Sequence, residues 1–195
     1  IAKTVLRAVC PETRTVSFDL ANGEHLRGNL HREWNLSDIS NLKGKLWDLS
    51  KAYKQLARNP AHASFTVIAV WNHDLKRTEY YEQLVLPFGG TASVYGFNWV
   101  ARGLLYVMVV LFGLLSTHYF DDYACLEFNV LADHTQVVVD SLFELLGWRT
   151  KEQVPFASEF SPLGVVCDLS DAPSGIIRFL NKQKRIDEIA EDFQR

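Results

Sequence analysis

The sequence predicts a single domain of the α+β class. Strand-like runs and helical patterns both occur along the 195 residues, but they do not alternate as strict βαβ units. Hydrophobic residues make up 48% of the chain and charged residues 22%, which is typical of a globular protein with a sizeable core. The sequence contains no repeat, low-complexity tract or Pro/Ser-rich linker, so collagen-like and long disordered chains are excluded.

The first half of the chain predicts mainly strands. Residues 13–20 alternate in polarity, and a turn signal at Asn22-Gly23 separates them from residues 24–30, which indicates a hairpin. Ser50 is the expected N-cap of a helical turn over residues 51–57 that ends before Pro60. The other strands expected in this half lie at residues 45–49, 63–71 and 78–86.

The second half predicts helices and further strands. A long helix is expected from Thr91 to about Phe112, and a second over residues 133–146 with Gly147 as its C-cap. Between them, two short strands flank a tight acidic turn at Asp121-Asp122. A further strand is expected within residues 161–169, and a loose helical pattern begins at Ile176.

Charge and cysteine content bound the function only loosely. The net charge of −3 argues at first against a nucleic-acid partner, but five basic residues and one acidic residue lie within residues 43–58. Three scattered cysteines form neither a disulfide framework nor a CxxC metal pair, so an intracellular location is expected. A basic-then-apolar secretory leader is not expected at the start of this chain.

One uncharged run tests the expectation that no membrane is involved. Residues 103–120 carry no charge, which is close to the length that spans a bilayer as a helix. Thr117 and His118 are polar, however, and two aspartates end the run. We therefore expect a core helix followed by a strand, with a membrane-associated protein as the competing hypothesis.

Three aspartates at the ends of strands are the strongest chemical signal. Adjacent carboxylates in a turn between apolar strands repel each other unless a cation neutralises them, although a solvated Asp-Asp turn is the commoner case. Asp48 ends another apolar run, directly before the expected helical turn. If the strands that carry Asp48 and Asp121 are neighbours, three carboxylates can hold two Mg²⁺ ions for phosphoryl transfer.

These residues belong to a longer series of motifs that resembles one family. Tyr119-Phe120-Asp121-Asp122 is similar to the YxDD motif of reverse transcriptases, and Asp48 followed by Tyr53 resembles their first catalytic motif. Leu86–Gly89 resembles the LPxG loop, and Phe160–Gly164 the FxxLG element before the primer grip. Order and spacing agree with retroviral and long-terminal-repeat retrotransposon enzymes over roughly residues 40–170.

The resemblance implies a fold and a domain organisation. The expected fold is the α+β polymerase palm, a ferredoxin-like or RRM-like antiparallel sheet backed by helices. Residues 1–45 correspond to partial fingers, 46–170 to the palm and 171–195 to a C-terminal helical extension. No thumb or RNase H region is matched within residues 1–195.

The resemblance also implies the catalytic site. Asp48 and Asp121 are expected to bridge two Mg²⁺ ions, for which Mn²⁺ is an alternative, with support from Asp122. Leu49 is expected to offer its backbone carbonyl to the nucleotide-bound metal. Tyr53 matches the aromatic residue that lies under the incoming sugar and selects deoxynucleotides, although a tyrosine at such a position is also an ordinary core residue.

Residues around these carboxylates are expected to bind the rest of the substrate. The backbone amides of Lys51 and Ala52 face the triphosphate in this interpretation, because exposed N–H groups at a helix start favour anions. Phe88 and Gly89 are expected to approach template or nucleotide, and Phe88 departs from the glutamine that the family often has there. Lys151 lies near the family's proposed general acid, with a solvated lysine as the alternative.

The expected activity is RNA-directed DNA polymerisation by a retroelement enzyme, with a primed RNA or DNA template and dNTPs as partners. Lys43 and Lys45 are candidates for gripping the triphosphate. The competing hypothesis is a catalytically inactive palm domain, derived from a retroelement, that at most binds nucleic acid.

Overall fold

The computed structural model describes residues 9–10, 12–19, 22–29, 32, 35, 37, 41–151 and 154–193. Much of the segment assigned to partial fingers, residues 1–45, therefore lies outside the described residues. The strands are β1 (Val9–Cys10), β2 (Thr15–Asp19), β3 (His25–Asn29), β4 (Leu42–Asp48), β5 (Val67–Asn72), β6 (Arg77–Glu82), β7 (Leu115–Tyr119), β8 (Asp122–Phe128), β9 (Glu159–Phe160), β10 (Val165–Asp168) and β11 (Arg178–Asn181). The α-helices are α1 (Thr91–Tyr106), α2 (Ala132–Leu145) and α3 (Gln183–Phe193).

A three-stranded antiparallel sheet in the order β4-β8-β7 lies at the centre of the described fold. β8 alternates between buried and half-buried residues, as expected for a strand with one face on a core. β8 pairs with β4 in a continuous register, from Phe128 opposite Leu42 to Asp122 opposite Asp48. The mixture of antiparallel sheets and helices confirms the α+β class; the palm remains an expectation.

Helices α1 and α2 cover one face of this sheet. Trp47 and Tyr123 are register partners, so they lie on the same face, and both are almost fully buried. The Tyr123 hydroxyl donates to the Ala101 carbonyl of α1 at 3.1 Å. The Trp47 indole N–H donates to Asp140 of α2 at 2.6 Å. These hydrogen bonds satisfy the polar ends of two aromatic side chains that otherwise pack in the core.

A second sheet, in the order β9-β10-β11, lies beside the free edge of β4. Gly44 and Ala157 exchange two backbone hydrogen bonds of 2.8 and 3.0 Å. The Phe160 ring lies directly over Gly44, where a Cβ atom would come within 2.1 Å of it. A glycine is therefore required at this point of β4 because the neighbouring segment approaches so closely.

Most of the expected elements are confirmed, and the exceptions have local causes. The β2-β3 hairpin forms as expected, and β5 and β6 overlap the two strands expected at residues 63–71 and 78–86 and pair with each other. Ser50 does not cap a helix: only a 3₁₀ turn, Ala52–Gln55, follows, and its preceding residue Lys51 has left-handed backbone (φ 52°) and makes no side-chain cap. The helix expected from Ile176 begins only at Gln183, because β11 precedes it and pairs with β10.

The long apolar segment forms a helix followed by a strand, as expected, but the helix is buried only in part and is not the buried core helix that was expected. α1 continues as a π-helical segment, Val107–Leu111, and β7 follows after a short turn. Among the described residues there is one helix, Thr91–Leu111, that is long enough and apolar enough to cross a membrane. Of its most apolar stretch of 18 residues, 22% is buried. Core helices of soluble proteins have the same length and composition, and the absence of a membrane partner stays a prediction.

Candidate active site at the carboxylate end of the central sheet

Three aspartates converge at one end of the β4-β8-β7 sheet. Asp48 is the last residue of β4, and its register partner is Asp122, the first residue of β8. Asp121 lies in the turn that joins β7 to β8, and its carbonyl accepts a 3.0 Å hydrogen bond from the Leu49 amide. The strands that carry the predicted carboxylates are therefore adjacent, which the metal hypothesis requires.

The turn between β7 and β8 is conformationally strained. Tyr119 is paired with Asp122, so only Phe120 and Asp121 connect the two strands. Phe120 has a φ of 52°, in the left-handed region that a bulky side chain rarely adopts. Its partly buried ring packs against the main core, which helps to hold this conformation. Such backbone strain is often found at functional sites, where the surrounding structure imposes it.

The electrostatics of the site follow from the crowding of like charges. Burial, together with the negative charges of Asp48 and Asp121, raises the pKa of Asp122 above its ordinary value of 3.8. Lys151 acts in the opposite direction on that pKa. Among the described residues, the three carboxylates carry more negative charge than Lys151 neutralises, which favours binding of an additional cation.

Asp48 is the most constrained of the three carboxylates. Its Oδ2 atom accepts a 2.6 Å hydrogen bond from the Lys151 ammonium, and its backbone carbonyl accepts a 2.8 Å bond from the Lys151 amide. Its Oδ1 atom is buried and has no hydrogen-bond partner. A buried carboxylate oxygen without a partner is costly, and coordination of a cation would remove that cost.

The donor chemistry fits a hard divalent cation. Asp48, Asp121 and Asp122 supply only carboxylate oxygens, which Mg²⁺ prefers, and the orphaned Oδ1 atom of Asp48 is consistent with an ion at this point. Within the described residues, however, no group of three or more His, Cys, Asp or Glu side chains lies close enough together to hold one metal ion. The carboxylates are neighbours by strand register, and one of them is held by Lys151.

The aromatic residues predicted on the nucleotide side lie together. The Tyr53 ring stacks on Phe97 of α1 with centroids 4.9 Å apart and meets Phe88 edge to face at 5.8 Å. Phe88 is itself 88% exposed, so this contact covers only part of its ring. Burial, together with the negative charge of Asp121, raises the pKa of Tyr53.

Four further residues were expected to act on the substrate through their backbone: Leu49, Lys51, Ala52 and Gly89. Leu49 is fully buried, and Gly89 has a φ of 88° that suits glycine. Lys51 precedes and Ala52 begins a four-residue 3₁₀ turn, Ala52–Gln55, and not an α-helix. The expected helix start is thus present only as this short turn, and binding of the triphosphate by these two amides stays a prediction.

The two lysines proposed to grip the triphosphate lie on the helix-facing side of β4. Lys45 is 1% exposed, and its ammonium lies 4.8 Å from the centroid of the Trp47 ring. Burial lowers the pKa of Lys45. The Lys45 side chain is enclosed between the sheet and the helices, so its proposed contact with the triphosphate is wrong. Lys43, two residues earlier, projects from the same face of β4 but is only half-buried, and its role stays a prediction.

Gln55 is a positioning residue that sequence reasoning missed. Its amide donates to the Ser50 carbonyl at 2.7 Å and to the Arg149 carbonyl at 2.9 Å, and it accepts from the Arg149 amide at 2.7 Å. The Ser50 amide also donates to the Arg149 carbonyl. These bonds join the segment after Asp48 to the segment that carries Lys151. No local sequence pattern identifies this role, because Arg149 lies 94 residues away from Gln55.

The chain was compared with models of protein families and with curated protein sequences. No model of a protein family matches this chain, and no curated protein sequence matches it significantly. The similarity to reverse transcriptases therefore depends on the four short motifs and their spacing.

Proposed function

We propose that this chain is the palm, with part of the fingers, of an RNA-directed DNA polymerase from a retroelement. The observation that carries the proposal is the register of β4 and β8, in which Asp48 lies opposite Asp122 and next to the Asp121 turn. Three carboxylates at one strand end match the donor set that two-metal phosphoryl transfer requires.

The neighbouring residues support the same proposal. Phe88 and Gly89 belong to the loop that resembles the LPxG motif, and this loop meets Tyr53 through the Tyr53–Phe88 ring contact. The two motifs are separated by more than thirty residues in the sequence. Their contact beside the carboxylates gives an incoming nucleotide an aromatic surface for its sugar and a glycine that permits close approach of the backbone.

In the proposed reaction, the primer 3′-hydroxyl attacks the α-phosphate of a dNTP in line, and pyrophosphate leaves. Two Mg²⁺ ions, when bound, stabilise the attacking and leaving oxygens. Asp48 and Asp121 would hold these ions with support from Asp122 and from the Leu49 carbonyl. Tyr53 would orient the sugar and exclude a 2′-hydroxyl. Catalysis by these residues is then mainly positioning and electrostatic stabilisation.

A second candidate function is binding without catalysis, by a palm domain that no longer polymerises. The observation that favours it is the ion pair between Lys151 and Asp48, which occupies one of the carboxylates that the reaction needs. This candidate predicts retention of a primed template without extension.

The test is primer extension by the purified chain on poly(rA)/oligo(dT) with dTTP and Mg²⁺. The proposal predicts DNA synthesis that requires both template and Mg²⁺ and stops when the ion is chelated. A gel-shift assay on the same primed template provides the second readout. Retention without synthesis favours the binding-only function, and the absence of both synthesis and retention contradicts both functions.

A further inference from the structure

Lys151 is held beside Asp48 by its backbone as well as by its side chain. The Lys151 amide donates to the Asp48 carbonyl at 2.8 Å, and the adjacent residue Thr150 forms an isolated bridge with Leu49. The Gln55 hydrogen bonds to Arg149 fix the same segment. The main chain of Lys151 is therefore anchored at the carboxylates, whatever its side chain does.

The side chain of Lys151, in contrast, has a free route to solvent. It is 57% exposed, whereas the Asp48 side chain that it contacts is only 29% exposed. Its four-carbon stem allows the ammonium to rotate away from Asp48 while the backbone stays in place. Exposed pairs of this kind contribute little stability, so the contact is easily exchanged for a stronger one.

Among the described residues, Lys151 is the cation paired with the predicted metal ligands. It bonds Asp48 Oδ2 at 2.6 Å, and no ion pair within the described part of the chain involves Asp121 or Asp122. A divalent ion held by Asp48 and Asp121 would share the Asp48 carboxylate with the ammonium, which contacts its Oδ2 atom while the Oδ1 atom has no partner. Two positive charges on one carboxylate repel each other, so the ion and the ammonium compete for Asp48.

We infer that Lys151 is a built-in substitute cation: its ammonium occupies Asp48 before the ions bind and must leave when they do. The inference rests on the proposed function, because it concerns the same carboxylates. It assigns Lys151 a role in the ion-free state, in addition to any role it has during the reaction. The consequence is a lower affinity for divalent ions than the carboxylates alone would give.

The first experiment measures Mn²⁺ binding to the 195-residue chain by electron paramagnetic resonance titration. The variant Lys151→Met removes the charge and keeps the length of the side chain. From the usual strength of an exposed ion pair, we expect the apparent Kd for Mn²⁺ to fall about two- to fivefold. Lys184→Met is the matched control, because Lys184 is also paired with a carboxylate, Glu188, away from the predicted ligands.

The second experiment measures displacement of the ammonium directly. Acetylation of individual lysines is followed by mass spectrometry with and without saturating Mn²⁺. We expect acetylation of Lys151 to accelerate relative to Lys184 when the ion binds, because the ammonium is released into solvent. Circular dichroism of each variant checks that its fold is retained.

The outcomes separate this inference from the proposed function. Equal or weaker Mn²⁺ binding by Lys151→Met, or an unchanged acetylation rate on ion binding, overturns the inference and leaves the polymerase proposal standing. The absence of Mn²⁺ binding to the unmodified chain overturns both.

Discussion

Asp122→Asn is expected to make the protein more stable at neutral pH while removing a ligand from the proposed site. Directly opposed residues of an antiparallel pair have Cβ atoms about 5 Å apart, and Asp48 and Asp122 are such a pair. Two like charges at about 5 Å repel by about 0.8 kcal/mol in water and about 3 kcal/mol at an effective dielectric constant of about 20. Lys151 offsets part of this repulsion.

We therefore expect a gain of about 1 kcal/mol in the free energy of unfolding at pH 7. For a chain of this size the gain corresponds to a rise in Tm of about 2–4 °C. Urea unfolding followed by circular dichroism, with both proteins measured in the same buffer, provides the test.

The stability gain of Asp122→Asn is expected to depend on pH. The pKa of Asp122 is raised in the folded protein, so between its ordinary value of 3.8 and the raised value the native state binds more protons than the unfolded chain. The destabilisation is complete above that window and disappears as the pH falls below it. The advantage of Asp122→Asn should therefore shrink on acidification.

Asp168→Asn is the matched control with the opposite sign. Hydrogen bonds from Ser170 and the charge of Arg178 lower the pKa of Asp168, so its charged form is stabilised by folding. This variant should be less stable than the unmodified protein at neutral pH. A loss of stability in Asp122→Asn at pH 7, or a gain that persists below pH 3.8, would refute the electrostatic reasoning.

Three further substitutions test separate parts of the structure. Gly44→Ala places a Cβ atom 2.1 Å from the Phe160 ring, so we expect a loss of about 1–3 kcal/mol in urea unfolding. Trp47→Phe leaves Asp140 without its 2.6 Å donor and should cost about 1–3 kcal/mol in the same assay. Tyr53→Val removes the proposed barrier to a 2′-hydroxyl, so the ratio of kcat/KM for ribonucleotides to that for deoxynucleotides should rise.

Each of these substitutions has a matched control. Gly28→Ala meets no atom within 4 Å and should leave stability nearly unchanged, so an equal loss in both glycine variants would contradict the contact argument. Trp71 is 52% exposed, and Trp71→Phe should cost less than Trp47→Phe. Tyr106→Val alters an exposed tyrosine of α1, and an equal change of sugar selectivity there would remove the assignment of Tyr53.

The sequence predicted the presence of helices and strands better than the residues at which they begin and end. Alternating polarity identified β2, the Asn22-Gly23 turn signal identified β3, and strand-like runs identified β5 and β6. The position of Gly147 after α2 agrees with its left-handed φ of 76°. β11 was missed because its four residues acquire their structure by pairing with β10, a contact that a helical pattern in the surrounding residues conceals. Tertiary pairing overrode the local pattern there.

The sequence motifs predicted which residues belong to the candidate site, but not how the fold brings them together. The convergence of Asp48 with Asp122 depends on pairing between strands about seventy residues apart, which strand periodicity does not specify. The Gln55 bonds and the burial of Lys45 depend on the packing of distant segments and left no pattern in the sequence. Lys151 could be proposed near the site from spacing, but its 2.6 Å contact with Asp48 required the fold.

The most direct test of the central claim compares primer extension by the unmodified chain with that of Asp121→Asn and Asp133→Asn. Asp133 is an exposed residue in the first turn of α2, so its variant is a matched control for the loss of one carboxylate. On poly(rA)/oligo(dT) with dTTP and Mg²⁺, we expect synthesis by the unmodified chain and by Asp133→Asn, and none by Asp121→Asn. Undiminished synthesis by Asp121→Asn would contradict the catalytic role proposed for Asp121.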